Sequence, residues 1–189
     1  MSTNQRLLAA LALAIFLASP STALTILYAD SFAPEAVGAT GTGDILLTLD
    51  TDLNTLRVEG NYAGMSGTLN NAHIHCCTAT PGTGTVGIAV GTPFTLGASA
   101  GSFDLTFDLA LTATFNASFL AANGGTAAGA AGALIAALNA GTAYLNLHST
   151  TFPGGEIRGF PTLVPEPATA LTLLLGLVLL SRAGRHRTR

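Results

Sequence analysis

Residues Gly101–Phe107 alternate strictly, with Phe103, Leu105 and Phe107 on one parity and Ser102, Asp104 and Thr106 on the other. A period of two marks a strand with one face in a core and one in water, and it excludes an amphipathic helix over the same stretch. The pattern recurs along the chain. Asp44–Asp50 places Ile45, Leu47 and Leu49 on one face, and the polar run Asp50-Thr51-Asp52-Leu53-Asn54 turns it into a second strand, Asn54–Tyr62. That pair reads as a hairpin. Further strands are expected at Leu69–His75, at Thr85–Val90 after a loop around Pro81-Gly82, at Thr142–His148, and at Gly155–Phe160 after a loop around Pro153-Gly154. Leu109–Phe115 reads as a continuation of the Gly101 strand.

Helical spacing is confined to one region. Leu134, Ile135 and Leu138 fall on one side of Ala130–Asn139, and Gly141 supplies a stop. The Asn-, Ala- and Gly-rich run before it reads as loop with a helical turn at Ser118–Ala122. Seven or so short strands separated by turn signals predict an all-β, antiparallel sandwich or barrel with one short helix. Gly, Ala and Thr dominate, tryptophan and lysine are absent, and the formal net charge is −3. No basic patch is available for nucleic acid, which is therefore not an expected partner.

The two ends carry addressing information. Arg6 precedes the uninterrupted apolar run Leu7–Ala18, and Pro20 and Ser21-Thr22-Ala23 follow it. This is the charged, apolar and small-residue order of a secretory signal read by signal peptidase, with cleavage expected after Ala23. At the other end, Val164-Pro165-Glu166-Pro167 precedes the apolar segment 168–180, and Arg182, Arg185, Arg187 and Arg189 close the chain. Apolar helix followed by arginines is a stop-transfer order that keeps the arginines cytoplasmic. The segment falls short of the ~20 residues a durable crossing needs, so it suits a transient anchor. The prolines keep the approach extended and accessible.

This three-part tail resembles the PEP-CTERM sorting signal of Gram-negative bacteria. The resemblance implies recognition by an exosortase, an integral membrane cysteine transpeptidase, with cleavage near the motif. The expected organisation is a signal peptide at 1–23, a linker at 24–40, a domain at 41–160 and a sorting tail at 161–189. The expected final location is the cell surface or extracellular space, with extracellular polysaccharide or matrix as a partner class.

Within the domain, His73-Ile74-His75 is the feature richest in chemistry. Residues two apart on a strand share a face, so both imidazoles project together. The other histidine of the domain, His148, ends a separate expected strand. Three imidazoles from two strands suit zinc or copper, with Cys76, an aspartate or water completing the shell. The same residues could instead bond backbone carbonyls and bind nothing.

Cys76 and Cys77 are the chain's two cysteines and are adjacent. In an oxidising compartment they form a vicinal disulfide, or they remain two thiols open to metal or to an intermolecular bridge. In Pro153-Gly154-Gly155-Glu156-Ile157-Arg158-Gly159, Glu156 and Arg158 lie two apart and are expected to form a structural ion pair.

Several of these segments together resemble the CHRD domain, a module described in chordin and in exported bacterial proteins. The resemblance runs from Gly41 to Phe160. It rests on Gly43-Asp44-Ile45-Leu46-Leu47-Thr48-Leu49, on Ala72-His73-Ile74-His75, and on the close from Leu138 through His148 to Gly159. It implies an immunoglobulin-like or superoxide-dismutase-like sandwich with a non-catalytic binding or structural role. A dismutase needs more histidines and an aspartate than this domain supplies, so no catalytic residue is expected. The alternative is an extracellular metal-binding redox or scavenging protein built on His73, His75 and His148.

Overall fold

A computed structural model describes residues 25–165. The signal peptide, the apolar segment 168–180, the terminal arginines, and Glu166 and Pro167 of the sorting motif lie outside the described residues. Among the described residues no helix is long and apolar enough to cross a membrane.

Nine strands form one continuous antiparallel sheet that folds over on its first member. They are β1 (Thr25–Pro34), β2 (Thr42–Asp50), β3 (Thr55–Ala63), β4 (Leu69–His75), β5 (Ile88–Gly91), β6 (Gly101–Asp108), β7 (Tyr144–Ser149), β8 (Ile157–Gly159) and β9 (Thr162–Leu163). The spatial order is β5-β4-β7-β8-β1-β2-β3-β6, with β9 also on β1. One layer holds β9, β1, β2, β3 and β6; the other holds β5, β4, β7, β8 and the last two residues of β1. The all-β antiparallel architecture expected from the alternation is present.

The register explains which faces meet. In β2, Ile45, Leu47 and Leu49 are buried, and across the ladder so are Leu56 and Val58 of β3. In the opposite layer Ala72 and Ile74 of β4, Leu145 and Leu147 of β7, and Ile157 of β8 face the same core. The β2–β3 turn is closed by the Asp50 carboxylate, which accepts from the amides of Asp52 and Leu53. Asn54 completes it at φ 53°, a conformation asparagine tolerates better than most residues.

Between β6 and β7 the chain crosses from one layer to the other through α1 (Ala117–Ala122) and α2 (Ala127–Ala140). Side chains of Asn116 and Thr126 cap the two starts by accepting from the amides of Ser118 and Gly129. Gly141 ends α2 at φ 66°, returning its amide to the carbonyls of Ala137 and Leu138. Ala130, Ala131, Leu134, Ala137 and Leu138 seal the core on that side.

Three expectations are corrected. Residues 24–40 are not a linker, because β1 occupies Thr25–Pro34 and pairs along its length with β2. The alternation there is masked by Leu27 and Ala29 on the outer parity, so no clean period stands out. Leu109–Phe115 does not continue β6. The Asp108 carboxylate accepts from the Ala110 amide, Leu109 turns wholly inward, and a single 3-10 turn follows at Thr112–Thr114. The strand expected at Thr85–Val90 begins only at Ile88, because Val86 gives its carbonyl to His75 and its amide to the Tyr144 hydroxyl.

β1 buries Tyr28 and Phe32 and is hydrogen-bonded on both of its edges. Two such aromatic side chains contribute about 3–6 kcal/mol by burial alone, comparable with the whole ~5–15 kcal/mol stability of a domain. A polypeptide beginning at Gly41 is therefore expected to show no cooperative thermal transition by circular dichroism. One beginning at Leu24 should melt cooperatively; equal melting of the two would contradict this role for β1.

Candidate metal centre

The outer face of the β4–β7–β8 layer is polar because the pleat alternates. While Ala72, Ile74, Leu145 and Leu147 point inward, His73 and His75 on β4, and Tyr144, Asn146 and His148 on β7, take the opposite face. The register sets His73 across from Asn146, His75 across from Tyr144, and Asn71 across from His148. His73 and His148 are thus diagonal neighbours, within reach of each other's side chains. The ladder runs in regular register from Asn71 to His75, and its one irregularity lies beyond the cluster, between Leu69 and Asn71.

The three imidazoles converge. Their ligand atoms lie within 4.8 Å of one another, with His73 and His148 partly exposed and His75 buried. Ring centroids are 5.6 Å apart for His73–His75, 5.0 Å for His73–His148 and 6.3 Å for His75–His148. Backbone carbonyls set the tautomers. Nδ1 of His75 donates to the Val86 carbonyl at 2.8 Å, and Nδ1 of His148 donates to the Pro153 carbonyl at 2.9 Å. Each neutral ring then presents an Nε2 lone pair. His148 Nε2 lies 3.2 Å from His73 Nδ1, whereas His75 Nε2 is buried with no hydrogen-bond partner among the described residues.

Burial and mutual repulsion favour the neutral form of His73 and His75. His73 is pushed down to about 4, first by burial and then by its neighbours His148 and His75. His75 is also lowered by burial, with the Val86 carbonyl pulling the other way and His148 adding to the decrease. A metal takes neutral imidazoles, and the Nδ1–carbonyl bonds of His75 and His148 orient two of the three rings for it. Zinc–nitrogen bonds of ~2.0–2.1 Å place two ligand atoms at most about 4.2 Å apart, so a small rotation of the rings closes the set.

A layer of side chains braces the site. The His75 ring stacks on Tyr144 at 4.7 Å with an interplanar angle of 2°. Arg158 lies 5.3 Å over the Tyr144 ring and the same distance over Phe160, donating to the Gly84 carbonyl and to Glu35. Glu35 also accepts from the Asn146 amide. Gly155, at φ 126°, must be glycine, since an added Cβ would sit 2.5 Å from a Glu35 oxygen and 2.6 Å from Asn146 Nδ2.

Two expected roles are corrected. Cys76 is bonded to Cys77 in a vicinal disulfide across a cis peptide, so it has no thiolate to offer, and its side chain packs into the core. Glu156 does not pair with Arg158. The chain bends at Gly155 and Glu156, so the same-face rule of a strand does not yet apply there. Glu156 turns fully inward and accepts from the Ser66 amide, while Arg158 pairs with Glu35 at 3.1 Å. Burial works to raise the Glu156 carboxyl, but the Ser149 hydroxyl and the Ser66 and Gly67 amides outweigh it and hold it below its usual value. Val164 and Pro165 of the sorting motif follow β9, and the Val164 amide donates to the Leu27 carbonyl.

Sequence reading missed Glu35, Tyr144 and Asn146 as parts of this face. The last two were readable, because Tyr144-Leu145-Asn146-Leu147-His148 alternates polar and apolar; Glu35 lay in the supposed linker.

Comparison with protein families finds a match to the CHRD domain over residues 25–160. No curated protein and no solved structure matches the chain. The match takes in β1 as well as the segments from Gly41 onward, and the chain belongs to the CHRD domain family.

The lowered histidines make a prediction for the metal-free protein. Near pH 8, well above the ordinary imidazole value of 6.5, the folded and unfolded states both hold His73 and His75 neutral. Below it the unfolded chain takes up protons that folded His73 refuses until about pH 4. Stability is therefore expected to be flat near pH 8, to begin falling about one unit above 6.5 and to fall most steeply toward pH 5, before most carboxylates titrate. His73→Gln should remove roughly half of that slope, one proton of two. A melting temperature independent of pH over this window would contradict the neutral-imidazole reading.

Proposed function

We propose that this CHRD-domain chain is an exported surface or matrix protein whose domain binds a zinc or copper ion through His73, His75 and His148. The observation that carries the reading is His75, whose Nε2 is buried without a hydrogen-bond partner and whose ring brings a ligand atom within 4.8 Å of those of two further imidazoles. Leaving such a nitrogen unpaired costs about 1–3 kcal/mol, which a metal bond recovers. The donor set is all imidazole, which suits zinc or copper over magnesium or calcium. A binding role rather than turnover is the one that membership of the CHRD domain family favours.

Export and sorting rest on the two end segments. The order from Arg6 to Ala23 fits cleavage by signal peptidase, and Val164-Pro165-Glu166-Pro167 with the apolar run and the four arginines fits an exosortase substrate held briefly in the membrane.

The metal reading is tested by loading the purified protein with zinc or Cu(II) and measuring bound metal and melting temperature. One ion per chain is expected, with a stabilisation of about 4 kcal/mol at free metal ~1,000-fold above Kd. His75→Ala should abolish both effects. A protein that stays metal-free and melts at the same temperature with or without metal would leave the histidines as purely structural groups.

The sorting reading is tested by intact mass of the protein recovered from cells and medium. Loss of residues 1–23 and of the segment beyond the motif is expected. An untouched C-terminus at the final location would exclude exosortase processing.

A further inference from the structure

Three neutral imidazoles leave a divalent ion with its full positive charge. Among the described residues no carboxylate or thiolate joins His73, His75 and His148. Cys76 is closed off in its disulfide, and Glu35 spends its oxygens on Asn146 and Arg158. His73 and His148 are partly exposed, so solvent reaches the ion's remaining position. A metal at such a site binds an anion from outside, because no charge within the site competes for it.

The surroundings narrow the kind of anion. Asn71 is exposed, opposes His148 across the ladder, and precedes His73 by two residues on the same face. Its side-chain oxygen accepts from the Ala72 amide at 3.0 Å, which identifies that atom as the oxygen. The Asn71 NH2 group is left with no protein acceptor among the described residues. A planar two-oxygen anion can place one oxygen on the metal and receive the Asn71 amide on the other. Chloride and hydroxide have no second oxygen to offer the amide.

Resting on the metal reading above, we infer that the centre is a receptor for a carboxylate supplied from outside the chain, ligated by the metal and oriented by Asn71. Two sources share this chemistry: the uronate groups of an acidic polysaccharide, and a surface Asp or Glu of a second copy of this chain.

The experiment uses the full chain loaded with Co(II), whose visible bands report coordination. Adding acetate is expected to shift those bands saturably, and Asn71→Ala to weaken acetate about fivefold, the weight of one hydrogen bond, with cobalt affinity unchanged. An oligogalacturonide that binds the monomeric protein more tightly than acetate identifies the polysaccharide source. A cobalt-dependent dimer that acetate dissolves identifies the second copy. Cobalt bands that ignore acetate, or that respond to chloride and acetate alike with no effect of Asn71→Ala, overturn the inference. Absence of cobalt bands before any acetate is added refutes the metal reading instead, and with it this inference.

Discussion

The structure depends first on β1 being hydrogen-bonded along both edges. β1 pairs with β2 on one side and with β9 and then β8 on the other, so it belongs to both layers. A sheet folded over on a shared strand cannot form one layer without fixing the position of the other. The step from β1 to the polar face is short. Just past its end, Glu35 donates its amide to the Glu156 carbonyl and receives Arg158 and Asn146 on its side chain. The first strand thereby sets where β8 lies, and β8 flanks the strand that carries His148.

The histidine cluster is a by-product of ordinary pleating on which specific bonds have been imposed. Alternation alone puts His73, His75 and His148 on the outer face, but it leaves ring direction free. The loop before β5 and the β7–β8 turn remove that freedom, since Val86 and Pro153 offer carbonyls that only an Nδ1–H can satisfy. The stacked Tyr144, itself in contact with Arg158, limits rotation of His75. Loop backbone chooses the tautomer, and sheet register chooses the distance.

Much of this was legible in the chain because strands report themselves by parity. β4 was read with its observed bounds, and β2, β3, β6 and α2 differ by a few residues at their ends. The convergence of His148 on His73 and His75 was suggested by its place near a strand end. Other features were not legible, for physical reasons. β1 carries apolar residues on both parities because it is partly covered on both sides, and this erased its period. Glu156 and Arg158 follow the strand rule in sequence but not in space, because Gly155 at φ 126° bends the chain between turn and strand. Adjacent cysteines left disulfide and thiols both open, and only the fold shows which one excludes Cys76 as a ligand.

The positions of the ends bear on the proposed export and processing. β1 starts at Thr25, beyond the expected signal-peptide cut after Ala23, and the last backbone bond of the fold runs from the Val164 amide to the Leu27 carbonyl. The first and last bonded segments of the domain therefore lie side by side on one strand. A cut after Ala23 and a cut beyond Val164 each remove chain that the described hydrogen-bond ladders do not use. Both Tyr28↔Leu163 and Ala29↔Thr162 pairings survive them. β9 is only two residues long and exposed, so it adds little stability, but it holds the tail against the first strand until the chain leaves the domain. The bonded fold ends at about Pro165, where the proposed sorting tail begins, and the histidine face, built from β4 and β7 in the other layer, is independent of where that tail would be cut.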